Sequence, residues 1–357
     1  MNDDIVLLQR LPEPIEISQG EKRIRITHGI DGTENNFYAA PVGLTKEDDP
    51  ITYDVVRGTY ESPNPQETLE NIPLDLGKGT PDFLSNPVRN MRATLFRSRL
   101  TARKGVQHVL RAITDGQMSE SVHVPMEYTD RVFWQAVMRQ NTVIPPLRRC
   151  SLESYIRVLM YGEAVQMGAA SGAIGRPYVE YFSDPFIIGL EDENANSLYR
   201  ILKELSALSK PSIHFYVFNT GGVGSDSNED VSGPNYKKIP RELTLMLQEA
   251  LLRECVVFEH DELLGSDIAT GIINYKGETV VDLTENWLPV RFFGRHDYTT
   301  RVNQLSRNRY YGTNSEDKNG ILQYTKTQND IIDFFQIPDP SNVRELSWLI
   351  SFYWNAN

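Results

Sequence analysis

Apolar residues recur along this chain with two different periods. From residue 196 to 208 the stripe Leu198, Ile201, Leu205 and Leu208 predicts an amphipathic helix, and the unbroken apolar run Ile213-His214-Phe215-Tyr216-Val217-Phe218 then predicts a strand. The strand breaks into Asn219-Thr220-Gly221-Gly222-Val223-Gly224, a polar loop follows, and after Tyr236-Lys237-Lys238-Ile239-Pro240 the pattern returns. Leu243, Leu247, Ala250 and Leu251 fall on one face of a second helix. Helix, strand, glycine loop and helix make an α/β unit. Ligands of open α/β sheets sit outside the carboxyl ends of strands, so the glycines after Phe218 and the lysines before the helix stand where a ligand is met. The loop is neither GxGxxG nor GxxxxGK[ST], and a loop that only turns the chain is an equal reading.

The same pattern divides the rest of the chain. Residues 5–8, 15–17 and 24–26 predict short strands, Asp31-Gly32 a turn, and 37–44 a further strand. Prolines and glycines crowd residues 61–87, which predicts a long surface connection. It leads into a basic stretch, Arg89 to Arg111, that suits either anion binding or a solvated helix face. Residues 122–125 look extended, whereas the periodicity of 131–137 leaves helix and strand open. Pro145-Pro146 forms a rigid turn before Arg148-Arg149, and Ser151 suits the N-cap of a helix burying Leu152, Ile156, Leu159 and Met167. An arginine beside a helix amino end favours an anion; the competing reading of Arg148 and Arg149 is a clamp on a neighbouring carboxylate. Residues 168–175 read as a loop, and Lys276-Gly277 centres a hairpin. His260-Asp261-Glu262 reads as an exposed acidic turn, and the cluster Arg291, Arg295, His296, Asp297 and Arg301 has no metal or triad spacing. The aromatic residues of 331–335 and 343–354 suit packing or an interface.

Two of these motifs, in this order, resemble the ATP-dependent phosphoenolpyruvate carboxykinases. That family carries Leu-Pro-Pro-x-x-Arg-Leu-Thr and later Asn-Thr-Gly, a basic residue pair with isoleucine, and a helix; this chain has Ile144-Pro145-Pro146-Leu147-Arg148-Arg149-Cys150-Ser151 and Asn219-Thr220-Gly221-Gly222 before Lys238-Ile239. Asn36 to Glu47 is similar to the family's Gly-Gly-Cys-Tyr-Ala-Lys segment, Asp49 to Val56 to its Pro-Glu-Ile-Tyr segment, and Asn90-Met91-Arg92 to its Asn-Thr-Arg. The collinearity runs from about residue 34 to 252. The resemblance implies that Arg149 contacts a transferred phosphoryl group and that Lys238, Ile239 and Thr244 hold adenine. It also implies that Asn219, Gly221 and Gly222 line the cofactor and that Arg92 meets substrate. ATP and a divalent metal are the implied cofactors. No GxxxxGK[ST] occurs, Lys22 to Gly29 stands where the family has acidic metal ligands, and Ala40 replaces a lysine. The metal's ligands are therefore not found in this chain, and the expectation is either the C-terminal part of a longer carboxykinase or a divergent form without the chemistry.

Composition narrows the partners. Apolar residues are 40% and charged residues 24% of 357, and the formal net charge is -12, which argues against nucleic acid and anionic membranes as partners of the whole chain but not against a local basic pocket. Cys150 and Cys255 have no paired spacing, and no run of about 18 apolar residues occurs, so a cytoplasmic, non-membrane protein is expected. The expected fold is α/β: a mixed sheet with flanking helices, resembling the C-terminal mononucleotide-binding domain of phosphoenolpyruvate carboxykinase. The expected divisions are 1–120, a partial sheet with the connection and basic stretch; 121–285, the nucleotide-binding core; and 286–357, an aromatic extension. The expected function is a carboxykinase-like ATP-binding protein inactive alone, with a non-catalytic nucleotide- or anion-binding regulatory module as the alternative. The expected partners are a nucleotide or small anionic metabolite and, for the assembly, either a missing N-terminal portion or a second copy of the chain.

Overall fold

A computed structural model of the chain describes residues 6–19, 22–32, 36–39, 41–48, 50, 53, 68–84, 91–96, 124–125, 130–165, 177–179, 182, 191–228 and 231–311. The described residues divide between 130 and 131 into two compact units. Most of the basic stretch, Met167, the loop at 168–175 and the aromatic segments beyond 311 lie outside the described residues.

In the first unit, β1 (Val6–Gln19) and β2 (Lys22–Gly32) pair antiparallel, with an irregularity between Arg10 and Ile15. The apolar patches at 6–8 and 15–17 are thus parts of one strand whose ladder is interrupted where Pro12 and Pro14 stand. Asp31-Gly32 closes β2 and is itself paired. β3 (Asn36–Ala39) is shorter than the strand expected from 37 to 44, since Pro41 and Gly43 turn the chain after it. Residues 61–87 also depart from a plain connection. They hold β4 (Thr68–Glu70), β5 (Leu74–Asp75) and β6 (Thr80–Pro81), and Phe83 is buried. Prolines at the ends of such short strands break no ladder. β7 (Arg92–Phe96) lies between β3 and β4, and β8 (Val124–Pro125) pairs with β2.

The second unit is built on a six-stranded mixed sheet. β9 (Arg131–Met138) is followed by β10 (Leu147–Cys150) and then α1 (Leu152–Met160). Ser151 caps that helix, its hydroxyl accepting from the Ser154 amide at 3.2 Å. The helix ends before Met167, because Tyr161-Gly162 turn the chain out of it. β11 (Glu163–Val165) and β12 (Pro177–Val179) pair beside it, and α2 (Glu191–Ser206) follows. α2 starts five residues earlier than its apolar stripe predicts, and it buries Ala195, Tyr199, Leu202 and Leu205, one residue round from the predicted face. β13 (Ser212–Asn219) then enters the sheet between β9 and β10. β14 (Gly222–Val223) and β15 (Lys237–Lys238) form a small ladder ahead of α3 (Arg241–Leu252). β16 (Val256–Asp261), β17 (Ser266–Ile273) and β18 (Thr279–Asp282) complete the sheet, with the expected hairpin at Lys276-Gly277. The unit closes with α4 (Thr284–Trp287), α5 (Pro289–Phe292) and α6 (Arg295–Tyr311).

The strand order is β16, β17, β10, β13, β9, with β18 also on β17; only β9 and β13 run parallel. Successive residues of β13 alternate between faces. Tyr216 and Phe218 join Leu147, Leu243, Leu247, Ala250 and Leu251 in one core cluster, so α3 covers that face. Phe215 meets Tyr155 of α1 at 5.2 Å between ring centroids on the other. Residues 131–137, whose periodicity leaves helix and strand open and for which the carboxykinase resemblance favours a buried strand, form a strand that is only half-buried. β9 is the last strand in the order, and Val137 is 70% exposed.

Candidate functional site

The carboxyl ends of the two parallel strands lie side by side, with Met138 opposite Asn219 in the register. Two loops leave this point, 139–146 and 220–228, and they are stitched to each other. Asn219 is fully buried. Its side-chain oxygen accepts the amides of Gln140 and Gly221, each at 3.0 Å, and its nitrogen donates to the carbonyls of Gln140, Ile144 and Gly222. Backbone amides of the glycine loop are likewise committed. Thr220 donates to Met138, Gly222 to Gln140, Gly224 to Thr142 and Ser225 to Asn141, at 2.7 to 3.0 Å. Gly221 is required by this packing: a Cβ there would stand 2.6 Å from the Gln140 carbonyl oxygen. Gly224 has φ +89 and passes the Asn235 carbonyl too closely for any side chain.

This stitching changes what the loop can do. A phosphate cradle needs backbone N–H groups pointing at the ligand. Here the amides of Thr220, Gly221, Gly222, Gly224 and Ser225 point into the neighbouring chain. Asn219, Gly221 and Gly222 therefore hold the site's framework and offer a ligand no donors.

Arg149 was expected to share a cleft with that loop. β10 runs antiparallel to β13, with Leu147 opposite Phe218 and Arg149 opposite Tyr216, so the chain moves away from the loop as it passes from Pro146 to Arg149. The last paired residue before α1, Cys150, is opposite Phe215, four residues back from Asn219. Arg149 instead donates through Nε and Nη2 to Asp267 at 3.0 and 2.8 Å, and its guanidinium lies 4.7 Å from the centre of the Phe258 ring. His260 reaches the second oxygen of the same carboxylate at 2.9 Å. Partial burial pushes the Asp267 carboxyl up, but the hydrogen bonds from His260 and Arg149 and the Arg149 charge together hold it below its ordinary value. The carboxylate-clamp reading is the one this geometry matches. Arg148 points to the other face, where it is buried and donates to the Ser266 hydroxyl and the Leu264 carbonyl.

The three residues expected around adenine are only partly available. Lys238 is exposed and Thr244 half-buried, but Ile239 is 2% exposed and belongs to the core with Val223, Leu243 and Leu247. Its amide is bonded to the Gly221 carbonyl at 2.9 Å. Ile239 was expected to lie against a flat ring; its branched side chain fills the space between β15 and α3 instead. Arg92 lies in β7 of the first unit, and its side chain is outside the described residues. The expected acidic turn at 260–262 is also corrected. Asp261 is buried because it accepts the amides of Leu263 and Leu264 and the hydroxyl of Tyr298 at 2.8 Å.

Sequence reasoning gave no role to Arg139 or Tyr236. Arg139 directly follows β9 and is exposed, and the Tyr236 ring lies against Gly222. Burial raises the Tyr236 phenol above its ordinary value, and the Arg139 charge opposes that shift. Lys237 donates to the Asn286 side chain at 2.8 Å. The signal that could have exposed Arg139 was present: a cation at the carboxyl end of a predicted strand.

Among the described residues no group of three or more His, Cys, Asp or Glu side chains could hold a metal ion, and no helix is long and apolar enough to cross a membrane. No protein-family model matches the chain, and no curated protein matches it.

Proposed function

We propose that the second unit is a carboxykinase-like nucleotide- or anion-binding module that does not itself turn over phosphoenolpyruvate or oxaloacetate. The observation that carries this reading is the state of the glycine loop. Its amides are consumed in the stitching of 139–146 to 220–225, so phosphate oxygens have side chains and not backbone to bind. Phosphoryl transfer depends on positioned charge around the transferred group, and Arg149, the group implied for that task, is paired with Asp267. The order of motifs supports a nucleotide as ligand, with Thr244 near the start of α3 as its base-side contact and the exposed Lys238 ahead of it on the phosphate side. Binding through side chains at a partly open surface is expected to be weak, with an ATP dissociation constant on the order of 0.1–1 mM.

Isothermal titration of the full chain with ATP tests this. Thr244→Val and Lys238→Ala are expected to weaken binding several-fold with the fold intact by circular dichroism. Ile239→Asp is unsuitable, since a charge in the core would unfold the unit. ATP heats unchanged in both variants, or no ATP binding in the wild type, would remove the nucleotide from this reading.

A further inference from the structure

The carboxyl ends of β9 and β13 carry a set of cations that the framework residues do not use. Arg139 leaves β9 beside Gln140, whose carbonyl accepts the Gly222 amide at 3.0 Å. Gly222 is opposite Lys238 in the β14–β15 ladder, and the Tyr236 ring rests on Gly222. Arg139, Tyr236 and Lys238 are thus brought to one place by three hydrogen-bonded segments. Lys238 lies opposite Gly222, whose face the Tyr236 ring covers, while Lys237 donates to the Asn286 side chain. Neither the Arg139 guanidinium nor the Lys238 ammonium has a carboxylate within ion-pair distance among the described residues, although the chain's net charge is -12. The adjoining α3 follows Pro240, which offers no side-chain cap to the amides of its first turn.

We infer that Arg139, Tyr236 and Lys238 form an anion subsite for a diphosphate-class group at the carboxyl ends of β9 and β13. A single carboxylate is satisfied by one guanidinium fork. A guanidinium from one segment, and a phenol hydroxyl and an ammonium from another, suit a group with several oxygens on different sides. Backbone amides supply the phosphate contacts in glycine-loop sites; here the stitched loop supplies the floor and side chains supply the donors. The subsite stands on the geometry alone, and its assignment to the phosphate tail of a nucleotide rests on the reading proposed above.

The test is calorimetric titration of the full chain with inorganic pyrophosphate, ATP and adenosine, at low and at physiological ionic strength. Wild type is expected to bind pyrophosphate, more weakly as salt rises, and Arg139→Ala is expected to lower that affinity about 10-fold or more, with Arg139→Lys restoring part of it. Tyr236→Phe is expected to lower it a few-fold. Adenosine binding should be untouched by Arg139→Ala. Arg139-dependent pyrophosphate binding without any effect of Thr244→Val on ATP would uphold the subsite and overturn the nucleotide reading. ATP binding that depends on Thr244 but not on Arg139, or no pyrophosphate binding even at low salt, would overturn the subsite.

Discussion

Asp267 shows how one carboxylate can decide what an arginine is for. It engages Arg149 on one oxygen and His260 on the other, and the Phe258 ring backs the guanidinium. A free Arg149, 47% exposed, would be an anion receptor; a neutralised one is a tie between β10 and β17. Asp267 binds protons less readily in the folded chain than in the unfolded one. Its contribution to stability is therefore fully present above its unperturbed value of 3.8 and lost as pH falls through the lower native value. The melting temperature of Asp267→Asn is expected to fall less steeply than that of wild type as pH is taken from 5 towards 2. Parallel acid limbs for the two proteins would show that the carboxylate is not linked to folding. The sequence made both readings of Arg149 available, because an Arg-Arg pair beside a turn looks alike whether its partner is a ligand or a residue 118 positions away.

The element that sets the site's geometry is the pair of loops leaving β9 and β13. Asn219 is its centre, and no local pattern distinguishes it from a ligand-facing asparagine. Removing its side chain leaves the buried amides of Gln140 and Gly221 without acceptors, at about 1–3 kcal/mol each. Asn219→Ala is accordingly expected to destabilise the second unit by about 3 kcal/mol, read as a lower urea midpoint at unchanged slope. A loss under about 0.5 kcal/mol would mean that the loops hold together without it. A second tie comes from α6, where Arg301 donates to the Ser225 carbonyl at 3.1 Å and to Asp226 at 2.7 Å while its guanidinium sits 4.0 Å from the Phe293 ring centre. The mixed-charge cluster around Arg301, which has no catalytic spacing in the sequence, thus helps fix the loop that carries the glycines.

At the scale of the molecule, catalysis requires groups to meet around one reacting centre. Arg149 stands opposite Tyr216, three residues back along β13 from Asn219, and its guanidinium is engaged by Asp267 on β17, so it is not presented to a ligand on the glycine loop. The purified chain, given oxaloacetate, ATP, magnesium and manganese, is expected to form no phosphoenolpyruvate above the uncatalysed background in a coupled assay. Turnover abolished by Arg149→Ala would show that the chain assembles a catalytic arrangement this geometry does not provide.

What the sequence determined by itself is local. The α/β alternation, β13, the hairpin at Lys276-Gly277, the Ser151 cap and the buried face of α3 follow from side-chain period and capping chemistry, which act within a few residues. Tertiary structure decided everything that depends on which segments become neighbours. Antiparallel insertion of β10 beside β13 carried Arg149 away from the glycines, burial between β15 and α3 withdrew Ile239, and stitching to 139–146 used the loop amides. The same pairing set Gln140, the residue after Arg139, against Gly222, which lies opposite Lys238 and under the Tyr236 ring. Hydrogen bonds and charges are satisfied by whatever the fold brings within about 3 Å, and strand order is not written in the period of any one strand.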